Sequence, residues 1–308
     1  MLKCTNNGEQ TMRIGDFFTK VATFVVATMI SGAAWAQDGI TGLESIGKPT
    51  PGGINFQTAA TELARDIHWL DGMVNWIIGA ICLFVSLLLI WVLVFYNRRA
   101  NKEAARFTHH STVEVVWTVA PILILIVIGS FSLPILFKQL EIPESDLTIK
   151  VTGNQWYWTY EYPDSEFEFD AYMIGTGEPG LTEAVKAELA EYGYANDEYL
   201  LATDNAMVVP VNAVVRLQIT GGDVIHSWAI PSFGVKLDAV PGRLNETWFA
   251  ADIEGIYFGQ CSELCGKDHT YMPITVKVVS QDVYDAWLNR AVDEFAGLPT
   301  SITVASAD

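Results

Sequence analysis

Basic residues are scarce in the second half of this 308-residue sequence. Between residues 139 and 308 there are 8 Lys and Arg against 27 Asp and Glu, which gives that region a net charge of −19. Nearly all of the whole-chain formal charge of −18 therefore lies there. Nucleic-acid binding requires clustered Lys and Arg against phosphates, and this deficit excludes it. The acidic surface suits a basic partner, because opposite charge raises encounter rates, although it could equally serve solubility alone.

Cysteine is also scarce, and the sequence contains no internal repeat and no long low-complexity tract. The four cysteines are Cys4, Cys82, Cys261 and Cys265. Cys4 falls in a segment that we expect to be removed, and Cys82 lies in the middle of an apolar run. Only Cys261 and Cys265 stand close together in a polar region, so these two require a chemical explanation.

Residues 12–36 have the pattern of a secretory signal peptide. Arg13 and Lys20 provide the positive start, an apolar stretch follows, and Ala34-Trp35-Ala36 forms an A-x-A cleavage site. Cleavage there would make Gln37 the first residue of the mature chain. The alternative, a short first membrane helix, is less favoured because the apolar run is too short to span a bilayer.

Two long runs without charge follow, at about residues 72–97 and 115–137. Each can cross a hydrocarbon core of about 30 Å as a helix that rises about 1.5 Å per residue. The loop between them contains one acid, Glu103, against four basic residues, Arg98, Arg99, Lys102 and Arg106. Such loops stay in the cytoplasm, so the sequence predicts a transmembrane hairpin with both ends of the mature chain in the periplasm.

Glu114 stands at the cytoplasmic start of the second apolar run. Ser111 and Glu114 have the spacing of a capping box, in which the Glu114 side chain accepts a hydrogen bond from the Ser111 N–H. Capping would explain Glu114 without any part in transport.

After Lys138 the apolar pattern changes to a period of two. Four stretches alternate apolar and polar residues and are separated by turn residues, at 147–152, 167–170, 214–219 and 274–278. Many short strands of this kind predict a β-sandwich. An acidic insertion at 175–199 interrupts them, and its centre, 182–192, could form one helix. Near the end, Ser280 is placed to cap a helix whose apolar residues share one face: Val283, Trp287, Leu288 and Phe295.

Residues with metal-binding chemistry cluster near the end of the β region. Cys261, Cys265, His269 and Met272 fall within twelve residues, and His226 lies upstream. Two thiolates, two imidazoles and a thioether form a soft ligand set that selects copper, whereas hard cations prefer oxygen.

The two neighbouring cysteines are also compatible with a disulfide, a zinc site or a single copper. In a periplasmic compartment Cys261 and Cys265 could form a disulfide, but this leaves His269 and Met272 without a purpose. A zinc site with two cysteines and two histidines has no use for the methionine. A single blue copper needs only one cysteine, whereas two cysteines are what a bridged pair of coppers demands.

Four segments resemble subunit II of a bacterial heme–copper cytochrome c oxidase, and they occur in that family's order behind the two-helix hairpin. They are 155–162 (QWYWTYEY), His226-Ser227-Trp228, 241–245 (PGRLN) and 261–273 (CSELCGKDHTYMP). The resemblance implies a two-helix transmembrane hairpin followed by an all-β cupredoxin-like sandwich with a dinuclear copper centre of the CuA type.

The resemblance also implies a set of copper ligands. Cys261 and Cys265 would supply two bridging thiolates, and His226 and His269 would supply one imidazole to each copper. Met272 would supply a thioether, and Glu263 a backbone carbonyl. The Glu263 side chain matches the family's ligand to a magnesium ion shared with subunit I. The alternative is that the Glu263 side chain is an ordinary solvated acid.

Trp156 matches the residue through which this family's electrons arrive from cytochrome c, although alternating aromatic residues on a strand are most often packing residues. Four acids match docking residues around that position, and each could also be an ordinary surface charge: Glu161, Asp170, Asp204 and Asp223. In the same way, the resemblance makes Glu114 the possible mouth of a proton path into subunit I, and one residue could serve both this path and capping.

The implied function is that of a subunit of a proton-pumping terminal oxidase in the bacterial inner membrane, in contact with lipid and with other oxidase subunits. It would accept electrons from cytochrome c at CuA and pass them to the heme of subunit I, where oxygen is reduced to water. Three other functions remain as alternatives. A quinol oxidase subunit would lack the copper ligands, a nitrous oxide reductase would be soluble with a large extra domain, and a copper chaperone would give its metal to an acceptor.

The sequence predicts five segments. They are an N-terminal extension and signal peptide (1–36), a periplasmic segment (37–69), the hairpin (70–138), the CuA domain (139–296) and a tail (297–308).

Overall fold

The computed structural model describes residues 40–103 and 105–296. The predicted signal peptide, Gln37 and the C-terminal tail at 297–308 lie outside the described residues. The described part combines two long apolar helices with an all-β domain, and this confirms the predicted fold class.

Two of the helices in the described part are long and apolar enough to cross a membrane. The helices are α1 (Glu62–Phe95), α2 (Ser111–Leu140), α3 (Glu183–Glu191) and α4 (Gln281–Phe295). The two charge-free runs fall on α1 and α2, but α1 begins well before the predicted start near residue 72. At about 1.5 Å per residue its 34 residues measure about 51 Å, so its first turns extend beyond a hydrocarbon core of about 30 Å.

The start of α2 differs from the predicted capping box. His110, and not Ser111, is the N-cap, and its Nδ1 atom accepts a hydrogen bond from the Val113 N–H at 3.3 Å. Glu114 does reach back, but its carboxylate accepts from the His110 N–H, at 3.2 Å. The His110 imidazole caps the helix one position before the predicted cap, so Ser111 is the first helical residue. The sequence did not indicate this, because histidine is not among the preferred capping residues.

The β domain contains two sheets and a separate two-stranded hairpin. Its strands are β1 (Ser45–Gly47), β2 (Leu147–Asn154), β3 (Tyr157–Tyr162), β4 (Phe167–Ala171), β5 (Met207–Pro210), β6 (Val214–Gly221), β7 (His226–Ile230), β8 (Val235–Ala239), β9 (Asn245–Ala250), β10 (Gly255–Gln260) and β11 (Pro273–Val279). One sheet has the order β4-β3-β2-β6-β9, the other β1-β10-β11-β5, and β7 pairs with β8. Each of the four predicted strands is present, and the alternation along β2, β4 and β6 places their apolar residues in one shared core.

Strand β11 departs from the predicted alternation, because both of its faces are buried. Thr275 and Lys277 would face solvent in a half-buried strand, yet they are only 1% and 7% exposed. The polypeptide around the insertion covers this face. The Thr203 N–H donates to Thr275 Oγ1 at 3.1 Å, and the Lys277 ammonium lies 5.0 Å from the centroid of the Tyr194 ring.

The acidic insertion contains α3 in the predicted place and shares a small apolar cluster with the β domain. Thr182 is the N-cap, and its hydroxyl accepts from the Val185 N–H at 3.3 Å. Val185 and Leu189 share a cluster of buried residues with neighbouring segments and with β10: Ile174, Tyr194, Ala202, Ile256 and Phe258. The insertion is therefore packed onto the β domain through these buried side chains.

Helix α4 packs against the aromatic residues of β3 and β4. Ser280 occupies the N-cap position, as predicted, but its side chain makes no capping hydrogen bond in the part of the chain that the structure describes. The predicted apolar face is present, because Trp287 is buried and the remaining members pack partly buried against the core: Val283, Leu288 and Phe295. The Trp287 and Tyr162 ring centroids lie 5.4 Å apart.

The N-terminal end of α1 is attached to the β domain. Thr61 caps the helix: its hydroxyl accepts from the Ala64 N–H at 2.9 Å and donates to the Phe233 carbonyl at 2.9 Å. Gly234 has a φ of +69°, and a Cβ there would lie 3.0 Å from the Ala64 Cα. Only glycine fits this turn easily and also allows so close an approach to the helix.

Ion pairs join the same region. Arg65 of α1 pairs with Asp252 of the β domain at 2.5 Å. Lys138, near the end of α2, pairs with Glu62 and Asp66 of α1, each at 2.7 Å. The two helices are thus linked to each other at the end where they meet the β domain.

Candidate metal centre

The loop between β10 and β11 carries four of the five side chains predicted to bind copper. Gln260 and Pro273 pair at its base as the end residues of two antiparallel strands. The fifth, His226, is the first residue of β7. The Ser262 N–H donates to the Ser227 carbonyl at 2.9 Å, and this bond holds the loop beside β7. Strand pairing therefore fixes both parts of the cluster in place.

The structure brings the five side chains together. The Cys261 and Cys265 sulfurs belong to free thiols and lie 3.9 Å apart. His226 Nδ1 lies 3.8 Å from the Cys261 sulfur, and His269 Nδ1 lies 3.4 Å from the Cys265 sulfur. The Met272 sulfur is 3.5 Å from that of Cys265. Each thiol thus has an imidazole of its own, with the thioether on one side.

A backbone oxygen completes the cluster. The Glu263 carbonyl lies 3.3 Å from the Cys261 sulfur, whereas the Glu263 residue itself is exposed. Cys261, Cys265, His226 and Met272 are all buried, so water has little access to their donor atoms. Soft sulfur and nitrogen donors of this kind fit copper, and a zinc site would leave the Met272 sulfur without a role.

Burial and hydrogen bonding shift the pKa values of the two thiols in opposite directions. Burial raises the pKa of Cys261, but hydrogen bonds, foremost the one with His226, outweigh it and the pKa is lowered. Burial and the neighbouring Cys261 raise the pKa of Cys265 to about 12. A bound cation favours the thiolate form of both, since metal coordination deprotonates a thiol. Both sulfurs are therefore expected to be ionised only when a positively charged ion is bound beside them.

Asp223, which the sequence places among the docking acids, also orients His226. Its Oδ1 lies 2.8 Å from His226 Nε2, and His226 Nδ1 is left facing Cys261. Its Oδ2 accepts from the Gln155 N–H at 2.7 Å. Burial raises the pKa of Asp223, but hydrogen bonds, first that of His226, outweigh it and the pKa is lowered. A carboxylate that fixes the orientation of an imidazole is typical of metal sites, and the spacing of the two residues was its one signal in the sequence.

Gly153 is a residue of this site that sequence reasoning missed. It lies in β2 directly beside His226, and a Cβ at this position would be 2.9 Å from the His226 Cβ and Cγ. A larger residue would push the imidazole away from Cys261. The period-two pattern gives no sign of this contact, because it joins strands that are far apart in the chain.

Trp156 connects the protein surface with Cys265. Its indole Nε1–H donates to the Cys265 carbonyl at 3.2 Å, and the side-chain amide of Gln155 donates to the same oxygen at 2.7 Å. Trp156 is half-buried, so one edge of the ring meets the metal loop while part of the ring remains at the surface.

Asp170 and Asp204 lie close to the neighbouring aromatic residues. The Tyr172 ring stacks on Tyr157, the residue after Trp156, with centroids 4.6 Å apart. The Tyr172 hydroxyl donates to Asp170 Oδ2 at 3.4 Å, and its N–H donates to Asp204 Oδ1 at 2.8 Å. Burial, the largest influence, raises the pKa of Asp204. Two of the four predicted docking acids therefore flank one aromatic pair.

Glu161 and Glu114 lie away from this group. Glu161 is four residues beyond Tyr157 in β3, about 13 Å at about 3.3 Å per residue. It also pairs with Lys150 at 2.6 Å, which neutralises part of its charge. Glu114 precedes the C-terminal end of α2 by 26 residues, about 39 Å along the helix. The structure thus separates these two from the metal loop.

Two sequence models of protein families match this chain. One is described as "Cytochrome C oxidase subunit II, periplasmic domain" and matches residues 147–279; the other is the transmembrane domain of the same subunit and matches residues 49–135. Together they include the hairpin and the metal loop.

Individual proteins are similar to this chain over most of their own length. The "Cytochrome c oxidase subunit 2" of Cereibacter sphaeroides is 55% identical over 284 residues, which are 91% of this chain and 93% of that protein. The "Probable cytochrome c oxidase subunit 2" of Rickettsia bellii is 42% identical over 273 residues, 88% of this chain and 93% of that protein. The solved periplasmic domain of subunit II (CoxB) of Bradyrhizobium japonicum is 51% identical and covers 51% of this chain and 100% of its own, with a TM-score of 0.43.

Proposed function

The chain belongs to the family of cytochrome c oxidase subunit II, a subunit of a terminal oxidase, and from this premise we propose that it accepts electrons from cytochrome c at a dinuclear copper centre. Electrons then pass to the heme of subunit I, in a proton-pumping complex that reduces oxygen to water. The observation that carries this proposal is the buried grouping of two thiols, each with its own imidazole, beside a thioether.

The proposed ligands of the copper pair are the side chains that converge in the loop, together with one carbonyl: Cys261, Cys265, His226, His269, Met272 and the Glu263 oxygen. When bound, the two coppers supply a one-electron carrier whose change in charge is shared between both metals. The protein holds the ligands still, because the Gln260–Pro273 pairing fixes the loop and Asp223 fixes His226. Burial keeps water away from the sulfurs.

Electrons are proposed to enter through Trp156, which has one edge on the Cys265 carbonyl and part of its ring at the surface. The strongly negative outer domain is suited to a basic cytochrome c. Asp170, Asp204 and Asp223 are the acids best placed for docking, because they lie near Trp156 or its neighbours. Glu161 is a weaker candidate, since Lys150 already pairs with it.

Two further roles concern the partner subunit. The exposed Glu263 side chain is proposed to share a magnesium ion with subunit I, and Glu114 is proposed to lie at the mouth of a proton path into subunit I. Both helices then cross the bacterial inner membrane within residues 70–138, with residues 139–296 in the periplasm. The signal peptide at 1–36, the segment 37–69 and the tail at 297–308 complete this arrangement.

The central test uses the full-length chain, purified in detergent and loaded with copper. Metal analysis is expected to find two coppers per chain, and the electron paramagnetic resonance spectrum should show hyperfine structure from two equivalent copper nuclei. A one-copper spectrum would overturn the proposal, and so would binding of zinc in preference to copper.

Replacing Met272 by leucine is expected to keep both coppers bound while raising their redox potential. A weak thioether ligand adjusts the potential more than it holds the metal, and its loss disfavours the oxidised form. An upward shift of about 60 mV corresponds to a tenfold change in a one-electron equilibrium. Metal analysis and a redox titration measure the two effects. Met207→Leu, a change in the buried core, is the control, and loss of both coppers in Met272→Leu alone would contradict the expectation.

Replacing Glu114 by glutamine is expected to slow oxidase turnover several-fold while copper content and assembly stay unchanged. The glutamine oxygen can still accept the hydrogen bond from the His110 N–H, so the helix start should persist. Glu103→Gln removes the same charge from the exposed loop and serves as the control. Native turnover in Glu114→Gln would leave capping as the only role of this residue.

A further inference from the structure

Lys267 places a positive charge over the proposed electron-accepting tryptophan. Its Nζ lies 5.5 Å from the centroid of the Trp156 ring, within the range of a cation–π contact. The Lys267 side chain is 78% exposed, and its partner Asp268 is 3.4 Å away. This lysine is unexpected, because the outer domain has few basic residues and the proposed docking surface is acidic.

The backbone of the metal loop delivers Lys267 to this position. Gly266, just before it, has a φ of +121°, a conformation that favours glycine. A Cβ at Gly266 would lie 3.1 Å from Trp156 Cζ2, so the loop passes directly against the indole. The indole edge is already fixed, because Nε1–H donates to the Cys265 carbonyl. The same short segment that fixes the edge of the ring therefore brings the ammonium over its face.

A partner that touches the exposed part of Trp156 must meet this ammonium. For a basic donor the encounter combines long-range attraction by the acids with local repulsion by Lys267, since like charges face each other. The Asp268 pair does not remove that repulsion, because exposed ion pairs are weak and screened. An electron donor has to leave after each transfer, and local repulsion favours its departure.

We propose that Lys267 weakens the docked complex with a basic electron donor and shortens its lifetime. This inference rests on the proposed function, because it assumes that such a donor docks at Trp156. It adds a repulsive element to a surface on which every other proposed docking residue is attractive.

The test measures binding of oxidised, basic cytochrome c to the assembled oxidase with Lys267→Met, which removes the charge and keeps the apolar stem. The dissociation constant is expected to fall about threefold, mainly through slower dissociation, and its salt dependence to become steeper. Lys267→Arg keeps the charge and should behave as wild type. Lys186→Met in α3 removes the same charge from a lysine that pairs with Glu183, and should change binding much less.

The outcomes separate this inference from the function on which it rests. Native binding in Lys267→Met, with weaker binding in Asp170→Asn, overturns the role of Lys267 and leaves the proposed function standing. Equal tightening in Lys267→Met and Lys186→Met also overturns it, because net charge would then be the cause. If neither Asp170→Asn nor Lys267→Met changes binding, the proposed docking site itself is wrong. Copper content, measured for each variant, confirms that the metal loop is intact.

Discussion

Replacing Cys261 by serine is expected to abolish the spectrum of the paired coppers. A serine hydroxyl remains protonated at neutral pH and is a poor bridge for soft metals, so at most one copper should remain bound with a different spectrum. The effect should be large, because Cys261 contacts three other donor atoms, those of His226, Cys265 and the Glu263 carbonyl. Electron paramagnetic resonance and metal analysis of the full-length chain measure it.

The matched control is Cys82→Ser. Cys82 is a free thiol on the exposed surface of α1, far along the chain from the loop, and its loss should leave the copper spectrum unchanged. Both variants should still insert in the membrane, because the apolar helices do not depend on the metal. A native two-copper spectrum in Cys261→Ser would show that the ligand assignment is wrong.

Replacing Trp156 by phenylalanine is expected to slow electron arrival from docked cytochrome c by at least about tenfold, a barrier increase of about 1.4 kcal/mol. Phenylalanine keeps an apolar ring but loses the N–H that reaches the Cys265 carbonyl. Binding affinity and its salt slope should change little, since the substitution removes no charge. Stopped-flow spectroscopy with bound, pre-reduced cytochrome c follows reduction of the copper centre directly.

Tyr157→Phe is the control for Trp156→Phe. Tyr157 is the next aromatic residue and stacks on Tyr172, but the two hydrogen bonds to the Cys265 carbonyl come from its neighbours Gln155 and Trp156. Its replacement should leave the transfer rate native. If Trp156→Phe also transfers at the native rate, the aromatic run is packing and electrons enter elsewhere.

Local patterns were sufficient to predict the main elements of the fold. The apolar runs predicted α1 and α2 because charge is excluded over the length of a membrane span, and period two predicted strands such as β2 and β6. The grouping of cysteines, histidines and methionine also followed from the sequence, since four of them share one short loop. Features of this kind depend on residues that are near one another in the chain.

The remaining features depend on contacts between distant residues. Burial of Thr275 and Lys277 follows from the insertion packed over β11, which no pattern within that strand reveals. The requirement for glycine at position 153 comes from His226 on another strand. The predicted docking acids show the same limit. The sequence assigns Glu161 and Asp223 the same role, whereas in the structure Glu161 pairs with Lys150 and Asp223 contacts His226.

The attachment of α1 to the β domain has a mechanical consequence. Thr61, Gly234 and the Arg65–Asp252 pair join the first turns of α1 to the β domain at several separate points, and Lys138 joins α1 to α2 at the same end. In the membrane arrangement proposed above, a sideways push on the β domain would therefore also tilt the helices, and the lipid would resist such a tilt. The metal loop would then keep a nearly constant height above the bilayer, and because tunnelling rates fall steeply with distance, each electron would have a gap of similar length to cross.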